Sequence, residues 1–222
     1  MADPSIFLSY AEDSEGERAA QELREALSSM HVNAIVARDS IPIGADWQRT
    51  IGNFLEESIA LICVGTASYS SRPWCQQEIG WALGRHVPIL WIQYDPDEVP
   101  AGFITSRQAL LPRDSEGGEE IARRIITWLS NTDATRTRVR DALLSALEAS
   151  DSFDDTRHCA DLLTLTGALT AAEWDRVVSA STSNRQVRDA TEWTANRHRR
   201  YKTSILRWLD ERVGPSTVAS QR

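Results

Sequence analysis

The sequence has few cysteines and lacks a long apolar run. Its three cysteines, Cys63, Cys75 and Cys159, form neither a CxxC pair nor an even set, which argues against a disulfide framework and favours a reducing cytoplasm. The longest apolar runs, such as residues 59–64, are far shorter than the ~20 residues that cross a bilayer. The first residues show no basic region followed by an apolar core, so we expect no secretory signal.

An excess of basic charge is also absent. The 222 residues include 24 Lys and Arg against 32 Asp and Glu, and the net charge of −8 excludes a uniformly basic nucleic-acid binder. At ~150 residues per domain, this length allows one large domain or two small ones. Residues 1–132 carry 10 basic and 19 acidic groups, whereas residues 133–222 carry 14 and 13. This uneven distribution of charge indicates two units.

Several familiar kinds of catalytic and metal site are missing as well. The sequence contains no G-x-S-x-G, no P-loop and no G-x-G-x-x-G motif. Its four histidines are scattered along the chain, so we expect no zinc site and no other bound metal.

What the first part of the sequence does contain is a regular alternation of strand-like and helix-like patterns. Short apolar runs predict buried strands at residues 5–9, 32–37, 59–64 and 87–93. Apolar residues at helical spacing predict helices at residues 15–30, 47–58, 73–85 and 121–130. A short edge strand is expected around Ala109 and Leu110. Repeated βα units predict an α/β fold with a flavodoxin-like parallel sheet.

The pattern changes after residue 132, because no further β-branched runs occur. Helical patterns recur at residues 135–149, 156–166, 171–180 and 193–213. Thr170 and Glu173 form a capping box, and Gly167 suits the end of the preceding helix. We therefore predict an α/β domain at 1–132, a small all-α helical bundle at 133–213 and a flexible tail at 214–222.

Three segments of the α/β domain follow predicted strands. They are Phe7-Leu8-Ser9-Tyr10, residues 39–47, and residues 70–78. Because the loops after parallel strands meet at one edge of the sheet, where ligands bind, we expect these segments to converge there.

The same segments resemble the Toll/interleukin-1 receptor (TIR) domain over roughly residues 4–131. Residues 7–10 resemble the first box of that family, and residues 39–44, Asp-Ser-Ile-Pro-Ile-Gly, resemble its BB loop. Ser71, Trp74-Cys75 and Glu78 match its S-x-x-W-C-x-x-E signature. Many TIR domains of this kind, including bacterial ones, are NAD+ hydrolases that need the signature Glu.

That resemblance implies a bacterial NAD+ hydrolase in which Glu78 is catalytic. It implies that NAD+ is the substrate, that no cofactor is needed, and that release of nicotinamide leaves ADP-ribose or a cyclic isomer. The residues expected to contact NAD+ are Ser9, Tyr10, Ala11, Ile43, Gly44, Trp47, Ser71 and Trp74. It further implies that the loop after the second strand packs on a neighbouring subunit, so that homotypic self-association activates the enzyme, in a role such as antiviral defence.

Cleavage of the bond between nicotinamide and ribose in NAD+ requires only one carboxylate. Nicotinamide leaves NAD+ as a neutral molecule, so no general acid is required, unlike ordinary glycosides. One carboxylate can orient the ribose hydroxyls and stabilise an oxocarbenium-like transition state. On a helix, Trp74, Glu78 and Trp81 share a face, so an indole could stack on nicotinamide or adenine. The alternative is that these residues have structural roles only, with Glu78 exposed to solvent and Trp81 part of the core.

One departure from the family concerns the diphosphate. Where several active relatives carry basic residues after the first box, this chain has Ala11-Glu12. The diphosphate would then be held by backbone amides or by an arginine such as Arg38, or activity would be weak. The alternative functions are a non-catalytic TIR adaptor or TIR-mimicking binding module, and a cyclase that makes a nucleotide messenger.

The predicted helical domain carries the one basic run, residues 197–202. On a helix these cations would point in different directions, so nucleic-acid binding is the less favoured interpretation. Leu162-Leu163 followed by residues 169–174 resembles death-like, effector-associated modules of bacterial conflict proteins. That resemblance implies contact with a second protein.

Overall fold

The computed structural model describes residues 4–36, 47–196 and 199–215, and for residues 47, 48, 195, 196, 199 and 200 it describes the backbone only. The chain forms two compact units, Met1–Ile125 and Ile126–Arg222. The predicted domain boundary after residue 132 falls between the helices Gly118–Asn131 and Asp133–Ala149. The division between the two compact units falls after Ile125, within the first of these helices. Most of the predicted tail lies outside the described residues.

The first unit is built on a four-stranded sheet. Its strands are β1 (Ser5–Tyr10), β2 (Asn33–Val36), β3 (Leu61–Gly65) and β4 (Ile89–Gln93). The spatial order is β2-β1-β3-β4, and all neighbouring pairs are parallel. A parallel bridge joins Ile92 to Leu110, where an edge strand was predicted. The predicted α/β class and parallel sheet are confirmed.

Helices connect and follow the strands. They are α1 (Ser14–Ser29), α2 (Trp47–Glu57), α3 (Pro73–Gly84) and α4 (Gly118–Asn131), with single 3-10 turns at Tyr69–Ser71 and Gly102–Ile104. Asp13 caps α1 by accepting a hydrogen bond from the Gly16 N–H at 2.8 Å. The same carboxylate accepts from the Ser68 hydroxyl at 2.7 Å, which ties the end of β1 to the segment before α3.

The four strands are mostly apolar, and most of their residues are buried. Phe7, Leu61, Cys63 and Trp91 belong to one core cluster together with apolar residues of α2 and α3. The Tyr69 ring packs edge-on against Trp91, with 4.9 Å between ring centroids. This packing fixes the start of α3 against the sheet.

The second unit contains five helices among the residues described. They are α5 (Asp133–Ala149), α6 (Phe153–Thr164), α7 (Ala171–Ser183), α8 (Arg185–Asp189) and α9 (Ile205–Val213). The Thr170–Glu173 capping box is present, and Gly167 takes a φ of +74° after α6, as predicted.

The helix predicted over residues 193–213 is wrong in its first half. Residues Thr191–Asn196 and Arg199–Ser204 form an antiparallel hairpin, β5 and β6, and only α9 is helical. The physical reason is that threonine, Trp193 and Tyr201 favour strands, whereas the helical spacing of apolar residues begins at Ile205.

Candidate active site

Glu78 lies near the middle of α3 and faces a cavity. Pro73, in the first turn of α3, suits a helix start because its missing N–H needs no partner there. The Glu78 side chain is buried, with 8% of the residue exposed. The cavity has a volume of about 240 Å³ and is lined by residues of α2 and α3, namely Ile51, Gly52, Leu55, Trp74, Gln77, Glu78 and Trp81.

Two indoles flank the carboxyl group along the helix. Trp74 is 44% exposed and lies one turn before Glu78, and Trp81 is 39% exposed and lies about one turn after it. A Cβ at Gly52 would lie 3.4 Å from Cη2 of Trp81, an ordinary van der Waals distance, so α2 passes directly beside the indole. Flat aromatic walls on both sides of one carboxyl group suit a planar heterocycle.

Burial raises the pKa of Glu78 from its ordinary value of 4.5 to about 7. The Ser9 hydroxyl lowers this pKa, and the nearby Glu12 carboxylate raises it. Among the described residues that line the cavity, Glu78 is the one ionisable side chain. A carboxyl group that titrates near neutrality inside an apolar cavity is a functional-site candidate.

A buried polar group of side chains lies at the end of β1. The hydroxyl oxygens of Ser9 and Tyr69 are 2.6 Å apart. The Cys75 thiol donates to the Tyr10 carbonyl oxygen with a sulfur–oxygen distance of 3.4 Å. Burial raises the pKa values of Cys63 and Cys75 to about 12, so both stay thiols at neutral pH and neither is a reactive nucleophile.

The structure brings some of the predicted contact residues together and not others. Trp74 lines the same cavity as Glu78. Ser9, Tyr10 and Ala11 are buried at the end of β1 and do not line the cavity, but the Ser9 hydroxyl is hydrogen-bonded to the Glu78 carboxyl group.

The remaining predicted contacts lie elsewhere. Ser71 is exposed, and its hydroxyl donates to the Ser68 carbonyl at 2.8 Å rather than facing the cavity. Ile43 and Gly44, like Arg38 and the whole BB-like loop, lie outside the described residues. Trp47 begins α2, and its side chain is not described. These residues stay predictions.

The cavity also contains residues that sequence analysis did not assign to it. Trp81, for which a core position was the alternative interpretation, is half-exposed in the cavity wall. Its position on the same face of the helix as Trp74 and Glu78 was the available signal. No signal in the sequence indicated Ile51, Gly52 and Leu55, because the pattern of apolar residues on one face of a helix is the same whether that face packs on a core or lines a cavity.

Comparison with known proteins assigns the first unit to a family. The profile of the TIR domain matches residues 6–126, more than half of the chain. The chain therefore belongs to the TIR domain family. TIR domains can act as NAD+ hydrolases or as adaptors. No match was found among curated proteins.

Two solved structures are similar to the chain. The TIR domain of the Toll-related receptor TRR-2 from Hydra magnipapillata is 21% identical, with a TM-score of 0.44, over 62% of this chain and 96% of that one. The TIR domains of the activated Roq1 resistosome, which directly recognises the pathogen effector XopQ, are 17% identical, with a TM-score of 0.39, over 72% and 97%. Both scores are below 0.5, so the family assignment rests on the domain profile.

Within the part of the chain that the structure describes, no helix is long and apolar enough to cross a membrane.

Proposed function

We propose that the chain hydrolyses NAD+ at the bond between nicotinamide and ribose, with Glu78 as the catalytic residue. The observation that carries this proposal is the buried Glu78 carboxyl group in a cavity between two half-exposed indoles. Membership of the TIR family supports it, since members of that family include NAD+ hydrolases. A bacterial source and a role in antiviral defence are predictions from the resemblance alone.

The reaction needs little from the protein beyond one negative charge. As the bond between ribose C1′ and the nicotinamide nitrogen breaks, its electron pair goes to the nitrogen and nicotinamide leaves as a neutral molecule. The Glu78 carboxylate would stabilise the positive charge that develops on the ribose. Water then adds to C1′ and releases a proton, which gives ADP-ribose. Attack on C1′ by an adenine nitrogen instead gives a cyclic isomer.

The size of the cavity limits what it can hold. A volume of about 240 Å³ is below the ~300–1,000 Å³ typical of small-molecule sites. From the described residues alone, the cavity suits the nicotinamide riboside end of NAD+, and the rest of the dinucleotide would extend beyond it. The remaining contacts would come from the BB-like loop, which lies outside the described residues, or from a neighbouring TIR domain, as the family resemblance implies.

The direct experiment compares nicotinamide release by the wild type and by Glu78→Gln, using concentrated protein and chromatography. We expect the variant to lose at least about 100-fold in rate, because an uncharged amide cannot stabilise the developing cation. Glu119→Gln removes an exposed carboxylate from α4 and is the matched control, for which we expect wild-type activity. Equal nicotinamide release by wild type and Glu78→Gln would refute the catalytic role.

One observation favours the second candidate function, a non-catalytic TIR adaptor. Glu12, which follows β1, is exposed and close enough to raise the pKa of Glu78. Its negative charge would oppose a diphosphate bound nearby. If no nicotinamide is released even at high protein concentration, while the chain binds a second TIR domain, the adaptor function is the correct one.

A further inference from the structure

The β5–β6 hairpin concentrates positive charge in a chain that is acidic overall. Residues 191–204, which span the hairpin, include four Lys or Arg residues and one acidic residue, whereas the whole chain has a net charge of −8. The sequence-based argument against a nucleic-acid role assumed a helix that scatters these cations. A hairpin removes that argument, because successive residues of a strand alternate between only two faces.

The register of the hairpin decides which residues share a face. Trp193 pairs with Lys202, and Ala195 pairs with Arg200. Residues directly opposite each other in an antiparallel pair lie on the same face, and so do residues two positions apart. The face defined by the 193–202 pair, called here the Trp193 face, therefore carries the two basic positions 200 and 202.

The described side chains on this face are open to solvent. Trp193 is 51% exposed, and the Lys202 ammonium lies 5.4 Å from the centre of its indole ring. Glu192, the acidic residue of the hairpin, pairs with Thr203 on the opposite face. There one carboxylate oxygen lies 3.8 Å from Nε of Arg157, and the other accepts a hydrogen bond from the Trp193 backbone N–H at 2.7 Å, so its charge is already engaged by these two groups.

We propose that the Trp193 face binds single-stranded nucleic acid. The Trp193 indole would stack on an unpaired base, and the Lys202 ammonium would contact a neighbouring phosphate. An unpaired base is the natural partner because a planar exposed ring can stack on it, whereas bases in a duplex are already stacked. An acidic protein surface could form ion pairs with the cations, but it has no planar group that would stack on the indole ring.

The test measures binding of the full chain to fluorescein-labelled oligonucleotides by fluorescence anisotropy at several salt concentrations. The probes are an oligothymidine, an oligouridine and a duplex DNA of the same length, so the first two separate DNA from RNA. We expect at least one single strand to bind more tightly than the duplex. Its affinity should fall linearly with salt on a logarithmic plot, because phosphate contacts release counterions.

The variants separate stacking from charge. Trp193→Ala should weaken single-strand binding roughly tenfold or more and leave the salt slope unchanged. Lys202→Gln should weaken binding and reduce the salt slope by about 0.7, the value of one phosphate contact. Arg138→Gln, which removes an exposed cation from α5, is the matched control and should bind like the wild type. Glu78→Ala should also bind like the wild type, so this proposal and NAD+ hydrolysis fail independently.

Three outcomes would overturn the proposal. They are no binding of either single strand by the wild type at low salt, tighter binding of the duplex, and wild-type affinity in both Trp193→Ala and Lys202→Gln. Loss of binding in Lys202→Gln with full binding in Trp193→Ala would instead identify a surface for acidic partners in general. Circular dichroism checks each fold. If Trp193→Ala is unfolded, Trp193→Phe, which keeps a stacking ring, and Lys202→Gln decide the question.

Discussion

The ionisation of Glu78 determines what the cavity can do. Only the carboxylate form can stabilise a cationic ribose, yet burial favours the neutral acid and brings its pKa to about 7. The proposed enzyme would therefore work with a carboxyl group that is only partly ionised at neutral pH. Binding of a cationic nicotinamide ring would favour the charged form, as any nearby positive charge does.

This leads to a prediction for the pH dependence of activity. As pH falls through about 7, Glu78 takes up a proton, so kcat/KM of nicotinamide release should fall about tenfold per pH unit below that value. Initial rates at several NAD+ concentrations between pH 5 and 9 measure this profile. A rate that is flat across that range would contradict the assigned role of Glu78.

The same pKa predicts how stability depends on pH. The pKa of Glu78 is near 4.5 in the unfolded chain and near 7 in the folded protein. Between these pH values the folded state therefore binds more protons than the unfolded state. The free energy of unfolding should fall as the pH rises through this range. Glu78→Gln should therefore match the wild type near pH 4 and unfold with a free energy roughly 3 kcal/mol larger at pH 8. Urea unfolding at both pH values measures this, and a pH-independent difference would contradict it.

At the scale of the element, α2 and α3 line the cavity together, and Gly52 of α2 lies beside Trp81 of α3. A Cβ there would make an ordinary contact with Trp81, and alanine is a better helix former than glycine. Gly52→Ala should therefore raise the free energy of unfolding by about 0.5–1 kcal/mol. Gly16→Ala is the contrasting variant, because its Cβ would overlap the Ala11 carbonyl oxygen and should destabilise. Thermal melting of the two variants in parallel checks both directions.

The elements also show how far sequence reasoning reaches. Strands β1 to β4 and helix α3 were predictable because strong periodicity and the turn signals at Ser70, Ser71 and Pro73 agree. The spacing of Trp74, Glu78 and Trp81 placed three residues on one face. It could not predict that α2 leaves an opening against that face, since this depends on packing between distant segments. The hairpin was not predicted because its strand pattern, which consists of threonines, Trp193 and Tyr201, is weak and is interrupted by basic residues.

At the scale of the whole molecule, activity should depend on assembly. If neighbouring TIR domains complete the site, nicotinamide release per mole of protein should rise with protein concentration and reach a plateau once self-association is complete. Initial rates over a roughly 100-fold range of protein concentration, with light scattering on the same samples, measure this. A specific activity that stays constant while the protein remains monomeric would exclude the need for assembly.

The strand order also has a consequence for how the chain acquires its structure during synthesis. β1 is made first, yet it lies inside the sheet and needs β2 on one side and β3 on the other. Its pairing with β3 spans more than fifty residues, and non-local contacts of this kind form slowly. Until residue 65 has left the ribosome, the apolar edge of β1 has no native partner on that side. Nascent chains of this unit should therefore be most prone to aggregation before β3 is available to pair with β1.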